Sequence, residues 1–414
     1  MICGLIAERL GHSFSGPIHE AIGDYPYELR ELKPEEVGPF LQARDFKGIN
    51  VTIPYKQTVM PYLDEISPEA LSIGAVNTIV NRDGRLYGYN TDFGGMKALL
   101  KRMGLELFGK KVLILGTGGT SKTAMAVCKS LKAGEALKVS RTGRDGAITY
   151  EEALHNHRDA KILINTTPCG MFPEAEEMPL DISGFDQLEG VVDAIYNPLS
   201  TELVLSARDR GIKAEGGLYM LVAQAVLAAR YFTGKDYPDS LILDIYRKLF
   251  KDKLNLVLIG MPSSGKTTLG QALEKRLNKP CLGLDEQIVL MDGRSISRIF
   301  AENGEDFFRD LECRATAEAA ALHSRIIATG GGGILRPENV RRLRRNGVLV
   351  YLDRPLKDLL PADDRPLADS ADKIRKLYDV RRPLYQAAAD ITITEWSSID
   401  KTLEQILQEW GKIV

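Results

Sequence analysis

The sequence predicts an α/β protein of more than one domain, and three observations carry that reading. Two segments share one grammar, an apolar strand, a glycine-rich turn and then a helix: Lys111–Leu115 followed by Gly116-Thr-Gly-Gly-Thr-Ser-Lys, and Leu254–Ile259 followed by Gly260-Met-Pro-Ser-Ser-Gly-Lys-Thr-Thr. In each, β-rich apolar residues give way to glycines where the backbone must turn or approach a ligand closely. The length, 414 residues, exceeds what one core organises, about 250 residues.

Each strand–loop–helix segment opens a parallel α/β domain. The first 100 residues precede both and have a pattern of their own. Strands are predicted at 1–7, 27–32, 48–53 and 77–82, with a helix over 34–43. Residues 217–250 read as helical, with Leu218, Leu221, Val222, Ala225, Val226 and Ala229 at helical spacing. The charged stretch Phe250-Lys-Asp-Lys-Leu254 reads as the connector between two halves. The expected organisation is a domain of 1–105 with 217–250, a domain of 106–216, and a domain of 254–414.

Bulk properties exclude several function classes. A net charge of −2, with 44% hydrophobic and 27% charged residues, gives no reason to expect a nucleic-acid partner. The one basic run, Arg341-Arg342-Leu343-Arg344-Arg345, reads as a solvated helix face. Five scattered cysteines without a CxxC pair argue against a disulfide framework or a structural zinc site. The apolar opening is short and lacks a basic leader, and no apolar run approaches the roughly 20 residues that span a bilayer. The expectation is a cytoplasmic protein acting on small molecules, with neither a membrane nor a nucleic acid as partner.

The first glycine loop places Gly116, Thr117, Gly118, Gly119 and Thr120 where backbone N–H groups and a helix N-terminus meet a pyrophosphate, the arrangement of a Rossmann-type domain. A site for NAD would carry an acid about 20 residues on, for the ribose 2′-hydroxyl. Here the next strand ends in Ser140-Arg141-Thr142-Gly143-Arg144. A guanidinium and a hydroxyl suit a 2′-phosphate, so NADP is expected; a solvated basic turn is the alternative.

Polar residues in the N-terminal region occur where a simple core would not need them. Gly11-His-Ser13-Phe-Ser15 puts two hydroxyls two residues apart, on one side if the segment is extended. Gly48-Ile-Asn-Val-Thr52-Ile-Pro-Tyr-Lys56 delivers a threonine and a lysine from a strand end, and Gly74-Ala-Val-Asn77-Thr and Gly88-Tyr-Asn-Thr-Asp92 add an amide and a carboxylate. Singly each has an ordinary explanation, such as Ser15 as a helix cap or Asn90 as a turn residue. Together they suit a polyhydroxylated carboxylic acid.

These four segments resemble the shikimate dehydrogenase motifs HSxSP, NVTxPxK, GAVNT and GxNTD. Asn165–Met171, Asp193–Thr201 and Gly217–Gln224 resemble that family's NxTxxGM, DxxYxPxxT and GxxMLxxQ segments, so the likeness runs to about residue 250. It implies that Ser13, Ser15, Thr52, Asn77, Asp92, Tyr196 and Gln224 hold substrate hydroxyls and carboxylate. It also implies Lys56 as acid/base with Asp92 as its partner, and Ala194 and Gly217 beside the nicotinamide. Two departures stand out: Gly16 precedes Pro17 where the family has proline directly, and Ala194 is smaller than in many relatives.

The second glycine loop fits the P-loop pattern in full. Pro262, Ser263, Ser264, Gly265, Lys266, Thr267 and Thr268 would cradle ATP, with Lys266 on the β/γ oxygens and the Thr267 hydroxyl on Mg²⁺. From about residue 254 onward the chain resembles shikimate kinase, a nucleoside-monophosphate-kinase-like parallel α/β fold. The likeness rests on Leu284-Asp285, Phe307-Phe-Arg309-Asp-Leu-Glu312, Ala328-Thr-Gly-Gly-Gly332, Arg365-Pro-Leu367 and Arg381-Arg-Pro-Leu-Tyr385. It implies that Arg309 and Arg381 clamp the substrate carboxylate and that Asp285 binds ring hydroxyls and helps deprotonate one. Gly331 would give a close backbone contact, and Arg365 would close over the phosphates.

Here too the pattern is broken. Gly283-Leu284-Asp285 lacks the first acid of the family's DxD pair, and the segment between Asp353 and Arg365 is short; Asp363 or Asp364 is the candidate replacement. The resulting expectation is a bifunctional enzyme that reduces 3-dehydroshikimate with NADPH and phosphorylates shikimate with ATP and Mg²⁺. The alternatives are a quinate/shikimate specificity, a kinase half that binds without turnover, and a scaffold.

Overall fold

The computed structural model describes residues 2–11, 13–144, 146–361 and 367–413. The chain divides into two compact units, Met1–Leu249 and Phe250–Val414.

In the first unit, strands β1 (Cys3–Ala7), β2 (Tyr27–Glu31), β3 (Gly48–Val51), β4 (Glu65–Ile66), β5 (Thr78–Arg82) and β6 (Arg85–Tyr89) form a mixed sheet in the order β2-β1-β3-β5-β6-β4. Only β5 runs against the others, pairing antiparallel with β3 and β6. The helix Pro34–Ala43 forms as the sequence predicts. Pro34 sits at the first turn, where no amide donor is needed, a second proline, Pro39, lies inside the helix, and Glu36 reaches back to the Lys33 amide at 2.7 Å. Val37 and Leu41 of that helix pack with Ile6, Ile49, Ile79 and Leu86 of the sheet.

The second sheet contains β7 (Lys111–Leu115), β8 (Glu135–Ser140), β9 (Ile148–Thr149), β10 (Ile162–Asn165), β11 (Gly190–Asp193) and β12 (Lys213–Glu215), all parallel, in the order β12-β11-β10-β7-β8-β9. This is the doubly wound order, and its switch point lies between β7 and β10, where such sheets take their ligands. Every residue of β10 and β11 is buried, which suits their apolar residues Ile162, Leu163, Ile164, Val191 and Val192; each strand ends in a buried polar residue, Asn165 and Asp193.

The helical stretch near residues 217–250 is two helices, Leu218–Thr233 and Asp239–Lys253. They are separated at Gly234, which takes a left-handed conformation (φ 72°). The charged connector is the last turn of the second helix. Leu218–Thr233 packs closely on Thr91–Arg102: a side chain at Gly95 would stand 2.7 Å from the Met220 carbonyl oxygen.

The second unit is built on β13 (Asn255–Ile259), β14 (Cys281–Gly283), β15 (Ile326–Ala328), β16 (Gly347–Leu352) and β17 (Ile391–Ile393), all parallel, in the order β14-β15-β13-β16-β17. Val257, Ile259, Ile327, Leu349 and Tyr351 form its core with Tyr385, whose ring stacks on Tyr351 at 5.2 Å.

The basic run departs from expectation. It lies on the helix Pro337–Asn346, but its face is not solvated: Arg345 is buried, and Arg342 and Arg344 donate to the carbonyls of Cys313 and Ala388. The guanidiniums of Arg342 and Arg344 reach across to neighbouring elements. All five cysteines are free. Among the described residues no helix is long and apolar enough to cross a membrane.

Candidate functional sites

The first site gathers at strand exits and helix starts of the first unit. Asn90 caps the helix Thr91–Arg102, its side chain accepting the Phe93 amide at 3.2 Å. Asp92 therefore sits in the first turn, where the helix dipole favours a carboxylate. Lys56 follows the exit of β3 and is tied there by its carbonyl, which accepts the Val76 amide at 2.8 Å. Its Nζ donates to Asp92 Oδ2 at 2.6 Å, with both side chains largely shielded from solvent.

Asn77 lies beside this pair with its amide oriented. Its Oδ1 accepts the Thr91 backbone amide at 2.7 Å and the Thr78 and Thr91 hydroxyls. Because a backbone N–H can only donate, the oxygen must face inward, leaving the NH₂ as the group for a ligand. The single Thr91 hydroxyl proton is shared between Asn77 Oδ1 and Gln224 Oε1, each 3.2 Å away, while Gln224 Nε2 donates to the Leu221 carbonyl. Thr91 is thus the joint between Asn77 and Gln224. The sequence holds it inside the GxNTD segment, and nothing there assigns it a role. Thr52 leaves β3 beside the end of β1, its amide bonded to the Ile6 carbonyl at 3.1 Å.

The serine segment is not extended. Ser15 opens the helix Ser15–Ile22, and Ser13 Oγ accepts the Ser15 amide at 3.2 Å. This local bond competes with the extended form, so the two hydroxyls do not project side by side from a strand. Between them Phe14 packs on Tyr196, ring centroids 5.3 Å apart, which brings Tyr196 to the serine loop.

The glycine loop leaves β7 at the switch point. Gly116 has φ 108°, and a side chain there would meet Thr166 Oγ1 at 2.9 Å. Gly118 and Gly119 face open space at the start of the helix Gly119–Ser130, flanked by Thr117 and Thr120. At the end of β8, Ser140 Oγ accepts the Gly143 amide at 3.0 Å, and Arg141, Thr142 and Arg144 are exposed. Ala194 and Gly217 come together, the glycine so close to the Ala194 carbonyl that any side chain would overlap it.

Asp193, which sequence reasoning also left without a role, is fully buried. It accepts from Asn165 Nδ2, the Ile195 amide and the Thr201 hydroxyl at 3.1, 3.0 and 2.7 Å. Burial pushes its carboxyl up to about 6. Its place inside the fold makes it a brace for the loops after β10 and β11.

The second site surrounds a cavity of about 580 Å³ lined by P-loop residues 262–268 and by Asp285, Arg309, Glu312, Gly331 and Arg381. Gly265 takes a left-handed conformation (φ 93°) just before the helix Lys266–Leu277. Lys266 Nζ donates to the Gly260 and Met261 carbonyls at 2.9 and 2.8 Å, and Thr267 and Thr268 are exposed at the helix start. A side chain at Gly331 would stand 2.6 Å from Pro262, and one at Gly330 2.7 Å from Asp285 Oδ1 and 2.9 Å from Glu312 Oε1. The glycine run is what lets these groups share one cavity.

Arg309 and Arg381 are both buried. Arg309 bonds Glu312 at 2.7 Å and Glu305 at 2.8 Å; burial works against its charge, but the two carboxylates hold it above the usual guanidinium range. Arg381 donates to the Gly331 carbonyl at 2.9 Å, and the Tyr385 hydroxyl bonds the same oxygen. Burial lowers the Arg381 guanidinium. Glu305, Glu312 and Tyr385 are site residues too; the sequence keeps them in or near the kinase-like motifs without distinguishing their role. Arg365, Asp363 and Asp364 lie outside the described residues.

Known proteins match the two halves of the chain separately. A family model described as the shikimate dehydrogenase substrate binding domain matches residues 5–79, and one described as shikimate kinase matches residues 262–410. A Clostridium perfringens protein named shikimate dehydrogenase (NADP(+)) is 37% identical over 263 residues, covering 59% of this chain and 97% of its own length. The crystal structure of shikimate dehydrogenase 1 from Peptoclostridium difficile is 36% identical with a TM-score of 0.56, covering 60% of this chain and 97% of that one. A Thermus thermophilus shikimate 5-dehydrogenase solved with NADP(H) and shikimate is 32% identical with a TM-score of 0.54, covering 60% and 99%. The chain belongs to the shikimate dehydrogenase family and carries, joined behind that enzyme, a shikimate kinase domain.

Proposed function

We propose that the chain reduces 3-dehydroshikimate to shikimate with NADPH and then phosphorylates shikimate at its 3-hydroxyl with ATP. The observation that carries the first step is the Lys56–Asp92 pair at 2.6 Å. Bound NADPH would supply the hydride to the ring ketone. Lys56 gives the developing alkoxide its proton, and Asp92 holds the ammonium in line. Ser13, Ser15, Thr52, Asn77, Tyr196 and Gln224 hold the ring hydroxyls and carboxylate. Arg141, with Thr142 and Arg144, takes the 2′-phosphate, and Ala194 and Gly217 lie against the nicotinamide.

In the second site Arg309 and Arg381 clamp the carboxylate. Asp285 orients the attacking hydroxyl and accepts its proton, as expected where positioning and electrostatics dominate phosphoryl transfer. Lys266 exchanges its loop carbonyls for phosphate oxygens. The Thr267 hydroxyl would hold Mg²⁺, which would neutralise phosphate charge.

Two independent assays test this: shikimate-dependent reduction of NADP⁺, and shikimate-dependent release of ADP. Lys56→Met should abolish only the first, and Lys266→Met only the second. Loss of both in either variant, or no ADP release from the unaltered chain, contradicts the assignment.

A further inference from the structure

Thr267 offers Mg²⁺ one neutral oxygen, and P-loop enzymes normally add a carboxylate to order the ion and its waters. Most acids around the cavity are committed. Glu312 is bonded to Arg309 and Asp353 to Arg382, and Asp285 faces Gly330 on the substrate side. The structure points to a different residue.

β14 ends at Gly283, which is the N-cap of the helix Leu284–Asp292 with extended dihedrals (φ −87°, ψ 120°). Gly283 pairs with Ala328 of β15, which in turn pairs with Leu258 of β13, so it stands level with the strand that enters the P-loop. Its distance along the P-loop helix is also fixed. Gly270 abuts Cys281, where a side chain would come within 2.7 Å of the sulfur. One helical turn from Gly270 toward the N-terminus brings Thr267, and two residues along β14 in the same direction bring Gly283. Both positions therefore lie toward the same end of the sheet, Gly283 at the end of β14 and Thr267 in the first turn of the P-loop helix.

A side chain at Gly283 would press against Glu286. An ideal Cβ there lies 3.3 Å from Glu286 Cδ and 3.4 Å from Glu286 Oε2. Glu286, one helical turn on, folds its carboxylate back over the glycine. We infer that Glu286 supplies the acid that this strand end lacks, holding the water shell of Mg²⁺ beside Thr267. It is a positioning residue that acts through water, and the inference rests on the kinase reading above. A glutamate in the third helical position also suits the helix N-terminus; Glu286→Gln keeps the side chain's size and removes the charge.

The test uses the full chain and Mn²⁺ as probe. Free Mn²⁺ is followed by its electron paramagnetic resonance signal in the presence of ADP, alongside the Mg²⁺ dependence of ADP release and the thermal midpoint. Glu286→Gln should weaken Mn²⁺ binding and raise the Mg²⁺ needed for half-maximal rate by about tenfold, the scale of outer-shell changes at metal sites, with the midpoint unchanged. Adding Gly283→Asp to that variant should restore both. An unchanged Mn²⁺ affinity in Glu286→Gln overturns the inference, as does a shifted midpoint without a shifted affinity, which makes Glu286 a helix cap only. Failure of the unaltered chain to release ADP at any Mg²⁺ concentration defeats the kinase reading instead, and the Mn²⁺ measurement still decides the place of Glu286.

Discussion

Lys56 Nζ and Asp92 Oδ2 meet at 2.6 Å across 36 residues of sequence, one delivered by a strand exit and the other by the first turn of a helix. Two rigid supports fix the contact, the Lys56 carbonyl on the Val76 amide and the Asn90 cap. If this pair moves the proton, Lys56→Met lowers kcat for shikimate oxidation by about 10²–10⁴ and leaves KM for shikimate within a few-fold. A structural salt bridge would leave turnover nearly intact and reduce the thermal midpoint instead.

Gly95 sets how closely Thr91 and Gln224 approach. Because its Cβ would stand 2.7 Å from the Met220 backbone oxygen, Gly95→Ala must push the two helices apart. It should cost about 1–3 kcal/mol of stability and raise KM for shikimate, read by denaturant unfolding and steady-state kinetics.

Arg381 binds the Gly331 carbonyl and faces the cavity shared with Arg309. Arg381→Lys keeps the charge and loses the planar fork. KM for shikimate in the kinase assay should rise at least tenfold, KM for ATP should stay within threefold, and the dehydrogenase rate should not change.

Replacing Arg141 and Arg144 together by serine should raise KM for NADP⁺ by about tenfold or more, the worth of one charge-assisted bidentate contact, while NAD⁺ kinetics stay constant. Equal losses for both cofactors would remove the 2′-phosphate assignment.

His19 gives a pH signature. It is fully buried, its ring stacked on Tyr27 with centroids 3.7 Å apart and its Nδ1 bonded to the Tyr25 hydroxyl. Burial pushes it down to about 3 from 6.5. The unfolded chain then holds more protons than the native one between those values. The stability His19 confers is present above pH 6.5 and lost as pH falls toward 3, with a limiting slope of about 1.4 kcal/mol per pH unit. Asp193 works the other way: its raised carboxyl favours the native state at low pH and loses that contribution as pH rises toward about 6. The readout is therefore the difference between the unaltered chain and His19→Phe, which should have the shallower loss of stability on acidification from pH 6.5 to 4.

Local chemistry was legible in the sequence where one segment supplies it. The helix 34–43 carries its own proline and glutamate signals, and both glycine loops announce their turns. Lys56, Asp92, Arg309 and Arg381 were identifiable because their motifs keep a fixed order. Partners that depend on distant segments were not. Only the helix crossing at Gly95 brings Thr91 to Gln224, whereas Glu305 and Glu312, four residues before and three after Arg309 on one helix, were readable from helical spacing. The Ser13–Ser15 spacing left two readings open, an extended segment or a helix start at Ser15, because periodicity cannot foresee a hydroxyl that captures a nearby amide. The arginines at 341–345 looked solvated because sequence does not show which carbonyls lie across the interface.

The most direct measurement supplies the full chain with 3-dehydroshikimate, NADPH, ATP and Mg²⁺ and follows both products in one vessel. The account predicts NADPH oxidation accompanied by ADP and shikimate 3-phosphate, with phosphorylated product never exceeding NADPH consumed. NADPH loss with shikimate accumulating unphosphorylated would contradict it.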